Sequence, residues 1–150
     1  MGHSYTALFF HCVFSTKHRE PWIGEQWQER LYAYAGGIIR AERGDLIAAG
    51  GMPDHIHLLI HAHASTPIAD LMRIVKSRTS GWVHETISCC SEFGWQNGYG
   101  GFSVSASALD EVKAYIANQA EHHRHMSTEE EFLGLLRKHG VEFDPRYVFE

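Results

Sequence analysis

The sequence has few of the features that mark secreted or membrane proteins. Only three cysteines occur in 150 residues, and Cys12, Cys89 and Cys90 offer no CxxC spacing. Neither a disulfide framework nor a thiolate zinc site is therefore predicted. No stretch approaches the roughly 18 apolar residues of a membrane span, and the start of the chain lacks the pattern of a signal peptide. We expect a reduced, cytoplasmic location.

The chain also lacks the positive charge of a general DNA-coating protein. Its formal net charge is -5, whereas non-specific affinity for nucleic acid comes mainly from Lys and Arg that neutralise phosphates. The acidity is concentrated late in the sequence: residues 1–44 carry five basic and four acidic side chains, and residues 101–150 carry five and nine. A local basic surface in the first part of the chain is compatible with this distribution.

The apolar periodicity predicts one domain over 1–150, with a core over 1–126 and a helical tail over 127–150. Predicted strands cover 6–15, 45–50, 55–62 and 102–106; predicted helices cover 24–43, 66–83, 107–125 and 127–140. Ser107 and Ser127 are predicted to cap the last two helices. This order indicates an α+β protein, with a ferredoxin-like split βαββαβ antiparallel sheet and additional C-terminal helices.

Two histidines and one helix form the candidate site. His55 and His57 lie on one face of a strand because side chains alternate, while Ile56 and its apolar neighbours lie on the other. Tyr115 and Gln119 are four residues apart and share a helix face. Imidazole is a common ligand for divalent metals, and an amide oxygen suits a hard cation such as Mg²⁺ or Mn²⁺. A tyrosine beside such an ion can attack phosphorus. The alternative for the pair alone is two half-exposed strand histidines.

Several other polar residues have two interpretations. Lys17, Arg19, Arg73 and Lys76 are candidate DNA contacts, although Arg73 and Lys76 also fit the solvated face of a helix. The histidines at 122, 123 and 125 fit the C-terminal end of a helix better than a ligand set. His11 could line the active face or a dimer interface. Trp95 and Tyr99 could stack on bases or pack a loop against the core.

Three segments resemble the single-tyrosine HUH transposases of small bacterial insertion sequences and their repeat-associated relatives. The run Met52–Ile60 resembles their His-hydrophobic-His strand, Phe14–Arg19 the end of their first strand, and Tyr115–Gln119 their nucleophile helix. The resemblance extends from about Tyr5 to His125, so the acidic tail lies outside it.

This resemblance implies a homodimer that binds single-stranded DNA hairpins at element ends and cuts through a 5′-phosphotyrosine link. By the same resemblance, His55, His57 and Gln119 hold Mg²⁺ or Mn²⁺, Tyr115 is the nucleophile, and its helix serves either its own or the partner subunit's histidine pair. Two other functions remain open. The protein could recognise repeat hairpins without cutting them, or it could be a metal phosphohydrolase in which water attacks and Tyr115 is structural.

Overall fold

A four-stranded antiparallel sheet organises the chain in the computed structural model, which describes residues 2–149. The strands are β1 (Phe9–Ser15), β2 (Asp45–Met52), β3 (His55–His61) and β4 (Gly100–Val104), and the helices are α1 (Gln28–Ala41), α2 (Ile68–Thr86), α3 (Leu109–Ala117), α4 (Gln119–His122) and α5 (Thr128–Lys138). The strand order β2-β3-β1-β4, with antiparallel neighbours throughout, confirms the predicted ferredoxin-like split arrangement.

The strand boundaries follow the pairing partners rather than the apolar pattern. The predicted strand over 6–15 begins at Phe9, because Phe9 pairs with His61, the last residue of β3. The strand predicted over 102–106 lies at Gly100–Val104 and pairs with β1 along that length. Both differences arise from contacts between segments that are far apart in the sequence.

The helix predicted over 107–125 is divided in two. Ser107 does not cap it: its hydroxyl bonds that of Ser105 at 2.9 Å, beside a 3-10 turn over Ala106–Ala108. The helix then breaks at Asn118, whose φ of -100° and ψ of 27° end α3 before α4 begins. Tyr115 and Gln119 therefore belong to consecutive helical segments rather than to one regular helix.

The two faces of the sheet pack against different helices and form separate apolar clusters. One face packs Phe14, Leu58 and Ile60 beneath α1 and α2, and these side chains are almost completely buried. Burial of one such side chain stabilises the fold by about 1.5–3 kcal/mol. On the opposite face, Val13 and Phe102 form a smaller cluster with α5. Both faces are covered, so polar groups on the second face are enclosed.

Helix α5 begins and ends as its sequence predicts. The Ser127 hydroxyl accepts a hydrogen bond from the backbone N–H of Glu130 at 3.1 Å. Acidic residues occupy the first turn and basic residues the last, which complements the helix dipole. The buried side of α5 carries Leu135 and Leu136, and also Glu131. One carboxylate is thereby carried inward over the sheet.

None of the helices within residues 2–149 is long and apolar enough to cross a membrane.

Candidate metal centre and tyrosine

The two strand histidines lie side by side in the interior. His55 and His57 are 1% and 0% exposed, and their ring centroids are 5.0 Å apart. Strand alternation puts both on the face opposite Ile56 and Leu58, as the sequence predicts. The alternative of two half-exposed histidines is wrong, because α3, α4 and α5 cover this face.

Glu131, from α5, completes a cluster with the two histidines. Its Oε1 lies 3.0 Å from His57 Nε2 and 3.2 Å from His55 Nε2. One ligand atom from each of the three residues lies within 4.8 Å of the others, and all three side chains are buried. Two imidazole nitrogens and a carboxylate oxygen are a donor set that divalent metals accept. The cluster thus fits a metal ion.

Sequence reasoning did not identify Glu131, because the tail was set apart from the site. The spacing of apolar residues along α5 nevertheless indicates that Glu131 faces inward. Glu131 precedes Leu135 by four residues and Leu136 by five, so it occupies a position on the apolar side of the helix. An acidic residue in such a stripe requires a buried partner. Its carboxyl pKa lies well below the usual range, since hydrogen bonds from His55 and His57 outweigh the opposing effect of burial.

Gln119 joins this cluster through both ends of its amide. Its Oε1 lies 3.0 Å from His55 Nε2, and its Nε2 donates a hydrogen bond to Glu131 Oε2 at 2.9 Å. The side chain is only 2% exposed. The structure places the predicted third ligand beside the histidine pair, in contact with the carboxylate that the prediction lacked.

Tyr115 reaches the same carboxylate. Its phenol donates a hydrogen bond to Glu131 Oε2 at 2.5 Å, and its ring centroid lies 5.9 Å from that of His57. Burial, together with the hydrogen bond and charge of Glu131, raises the pKa of the phenol above its ordinary value. In this arrangement Tyr115 is a protonated phenol, and it lies over the histidine pair of its own chain.

The Nδ1 atoms of His55 and His57 have different hydrogen-bond partners. His55 Nδ1 lies 2.8 Å from Asp54 Oδ1, and Asp54 in turn accepts a hydrogen bond from Thr128 in α5. Burial alone lowers the pKa of His55, but the hydrogen bonds and charges of Asp54 and Glu131 outweigh it and raise the pKa to about 9. Without a bound metal, His55 therefore carries a proton on both nitrogens at neutral pH.

His57 is in a different electrostatic position. Its Nδ1 lies 2.8 Å from His11 Nε2, so its outer partner is a second imidazole. Burial lowers the pKa of His57, and burial followed by the charge of His57 lowers the pKa of His11 to about 3. This pair is neutral at physiological pH. His11, which the sequence left unplaced, lines the active face.

Histidines after α3 also approach the cluster. His123 Nε2 lies 3.2 Å from Glu131 Oε1, and its ring is 4.8 Å from that of His55. The His122 ring stacks on Tyr115 at 4.5 Å. His125 is exposed and faces Glu121 at 3.8 Å. His122 and His123 do lie at the C-terminal end of α4, as the sequence predicts, and their rings are also close to Tyr115 and the cluster.

The four basic candidates lie at two places, the end of β1 and helix α2. Lys17 and Arg19 follow β1 and line a cavity of about 400 Å³ together with Trp95 and Gln96. Arg19 Nε contacts Glu129 Oε1 at 2.5 Å, which ties it to α5. This cavity adjoins the His55 end of the sheet, since Ser15 also lines it and pairs with His55.

Arg73 and Lys76 lie on α2, which covers the face away from the histidine pair. Arg73 is exposed, whereas Lys76 Nζ donates to the backbone oxygens of Gln96 and Gly98 at 2.7 and 2.6 Å. Trp95 packs edge-on against Phe14 at 4.8 Å. The described contacts of Lys76 therefore support the loop after α2, and Trp95 belongs to the core.

The fold and the buried cluster together define an α+β protein of ferredoxin-like topology with a candidate metal centre beside a tyrosine. A model of the family described as "Transposase IS200 like" matches residues 4–119. The chain belongs to this family, and a transposase role follows from that membership. The matched region ends at Gln119, so it includes Tyr115 and the histidine pair but not Glu131.

Solved structures support the same fold. A protein assigned as a transposase from Deinococcus radiodurans R1 superposes with a TM-score of 0.62 at 22% identity, covering 79% of this chain and 96% of that one. A REP-associated tyrosine transposase bound to a REP hairpin gives 0.58 at 15% identity, covering 82% and 74%. At these identities the likeness concerns the fold alone. A search of curated proteins finds no match.

Proposed function

We propose that this transposase cuts and rejoins single-stranded DNA through Tyr115, with a divalent metal ion at His55, His57 and Glu131. The observation that carries the proposal is the contact of one carboxylate with both parts of the site. Glu131 Oε1 faces the two imidazoles, and Glu131 Oε2 accepts the hydrogen bond of the Tyr115 phenol. A partly buried tyrosine and a buried metal-ligand set in contact with one carboxylate would supply the nucleophile and the Lewis acid of a phosphoryl transfer that needs no ATP.

The residues that would hold the ion are the His55 and His57 imidazoles and the Glu131 carboxylate, with the Gln119 amide oxygen as the predicted further ligand. Mg²⁺ or Mn²⁺ suits the carboxylate and amide oxygens. Such an ion, when bound, stabilises negative charge on the phosphate being attacked. The protein's own contribution is to exclude water from the ligands and to hold the phenol beside them.

The proposed reaction balances without a further reactant. The Tyr115 oxygen attacks phosphorus and loses its proton, the bond from phosphorus to the 3′ oxygen breaks, and the departing strand end takes up a proton as a free 3′ hydroxyl. A 5′-phosphotyrosine link remains. Attack of another 3′ hydroxyl on this link regenerates the phenol and joins the strands.

The DNA substrate is proposed to carry a hairpin. The structural neighbour bound to a REP hairpin supports this choice, and the cavity lined by Lys17 and Arg19 adjoins the His55 end of the sheet. A homodimer remains a prediction. The Tyr115 helix lies over the histidines of its own chain, which favours use of the tyrosine within one subunit.

The deciding experiment incubates the protein with a hairpin-bearing single-stranded oligonucleotide in Mn²⁺ and separates the products under denaturing conditions. With a label at the 3′ end, the fragment downstream of the cut should migrate with the protein, whereas a 5′ label should appear on a free shorter strand. The Tyr115→Phe variant is the matched control, because only the nucleophilic oxygen is removed.

Other outcomes would identify the competing functions. Binding of the hairpin with neither adduct nor cleavage would indicate a non-cleaving recognition module. Cleavage without an adduct, retained in Tyr115→Phe, would indicate a phosphohydrolase in which water attacks. Either result would overturn the proposed covalent mechanism.

A further inference from the structure

His11 is a buried histidine on β1 that the proposed mechanism does not use. It is 4% exposed, and its Nε2 lies 2.8 Å from His57 Nδ1. We propose that His11 is a positioning residue that holds His57 in the tautomer able to bind the metal. The inference rests on the proposed function, because it concerns a ligand of the proposed ion.

The argument follows from the two nitrogens of one ring. A neutral imidazole binds a metal through the nitrogen that carries no proton, so its other nitrogen must carry one. His57 Nε2 is the nitrogen directed at Glu131 and at the metal-ligand cluster. Without a bound metal, Nε2 instead donates to the Glu131 carboxylate. With the metal bound, the proton belongs on Nδ1, where His11 Nε2 lies 2.8 Å away as the acceptor. Such outer partners orient metal ligands and raise their basicity.

The sheet holds His11 in the required place. Val13 on β1 lies directly opposite His57 on β3, and His11 is the next residue of β1 on the same face. The two rings are 5.0 Å apart, and Phe102 and Tyr115 contact the His11 ring from two other sides at 6.2 and 6.0 Å. The hydrogen bond is thus built into the register of the central strands.

The two metal-ligand histidines have complementary outer partners. His55 is paired with the carboxylate of Asp54, whereas His57 is paired with an imidazole. A carboxylate in place of His11 would add a third negative charge to a cluster that already holds Asp54 and Glu131. An imidazole that accepts through Nε2 orients His57 without that charge.

The test measures binding of Mn²⁺ alone to the full chain by calorimetry. His11→Leu removes the acceptor and should weaken Mn²⁺ binding by about 10- to 100-fold, the range found for lost outer partners. His11→Gln offers an amide oxygen near the former Nε2 and should bind within about threefold of the parental chain. His61→Leu is the control, because His61 shares the sheet face but stacks on Phe9 away from the cluster.

A second measurement does not depend on variants. Nitrogen-15 NMR of the Mg²⁺-loaded parental chain should show a protonated Nδ1 on His57 and a coupling across the hydrogen bond to His11 Nε2. A protonated Nε2 on His57 would overturn the proposal, as would unchanged Mn²⁺ binding in His11→Leu or equal losses in His11→Leu and His11→Gln. If the parental chain bound no Mn²⁺ at all, the proposed metal site would fail first, and this inference with it.

Discussion

The Tyr115 phenol donates its hydrogen bond to the Glu131 carboxylate at 2.5 Å, although the two residues lie in different helices and 16 positions apart. Glu131 also faces His55 and His57 through its other oxygen. The same residue therefore holds the phenol in its protonated form and offers a possible metal-ligand oxygen beside the histidine pair. A cation at the cluster would offset the negative charge that disfavours the phenolate.

Replacement of Tyr115 by Phe tests the nucleophile. We expect the covalent DNA adduct to fall to background, since the substitution removes the proposed nucleophilic oxygen. Hairpin affinity should stay within about threefold, because affinity comes mostly from contacts to the phosphate backbone. Gel-shift and denaturing-gel measurements on the same samples check both statements. An undiminished adduct would require another nucleophile.

Replacement of Glu131 by Gln tests the tail residue as a ligand. The amide keeps the shape but loses the charge, so Mn²⁺ affinity should fall by at least about tenfold. Glu130→Gln is the matched control, because Glu130 is the adjacent acid on the same helix and is exposed. Calorimetry with Mn²⁺ distinguishes the two variants. Equal affinities in both would remove Glu131 from the ligand set.

The stability of the metal-free protein should fall as the pH rises from about 6.5 to 9. The pKa of His55 is raised from 6.5 to about 9 in the fold, so its contribution is complete below 6.5 and is lost as the pH rises through 9. His11 and His57 have lowered pKa values and change protonation below this window. Thermal melting in a chelator at several pH values gives the measurement.

The Asp54→Asn variant provides the control for this pH dependence. Asp54 is one of the two acids that raise the pKa of His55. Its replacement should therefore make the melting temperature depend less on pH between pH 6.5 and 9. A melting temperature that rises across this interval in the parental chain would contradict the assigned protonation of His55.

Lys17 should contact DNA phosphate, and Lys17→Ala should weaken hairpin binding for all sequences alike. Loss of one phosphate contact should lower the slope of log affinity against log salt by about one. Arg40→Ala is the control, since Arg40 is exposed near the end of α1 that leads to Asp45. Lys17 instead follows the opposite end of the sheet, where Ser15 pairs with His55. Titrations at several salt concentrations test this; a slope equal to that of the control would remove Lys17 from the interface.

The sequence predicted the sheet and the histidine face because both depend on local periodicity. His55 and His57 alternate with Ile56 and Leu58, and this alternation holds in the structure because β3 is central and one face needs an apolar core. Strand ends were less predictable. Phe9 begins β1 only because its partner His61 ends β3, and that pairing is invisible in either segment alone.

The acid of the site was not predicted because it depends on how a distant helix docks. Glu131 lies in an acidic first turn that suits an exposed helix start as well as a buried ligand. Its inward position follows from the packing of Leu135 and Leu136 on Val13 and Phe102. Likewise, the helix break at Asn118 was not predicted, because no Gly or Pro occurs there.

The docking of α5 on the sheet has a consequence for exchanging parts between relatives. The segment after residue 126 lies outside the family match, yet it seals one side of the sheet and carries the carboxylate at its centre. A chimera joined at this boundary would exchange the helix that covers the sheet and the carboxylate of Glu131 together. If Glu131 is a ligand as proposed, exchange of this segment would change the ligand set of the metal while leaving the histidines and the tyrosine untouched.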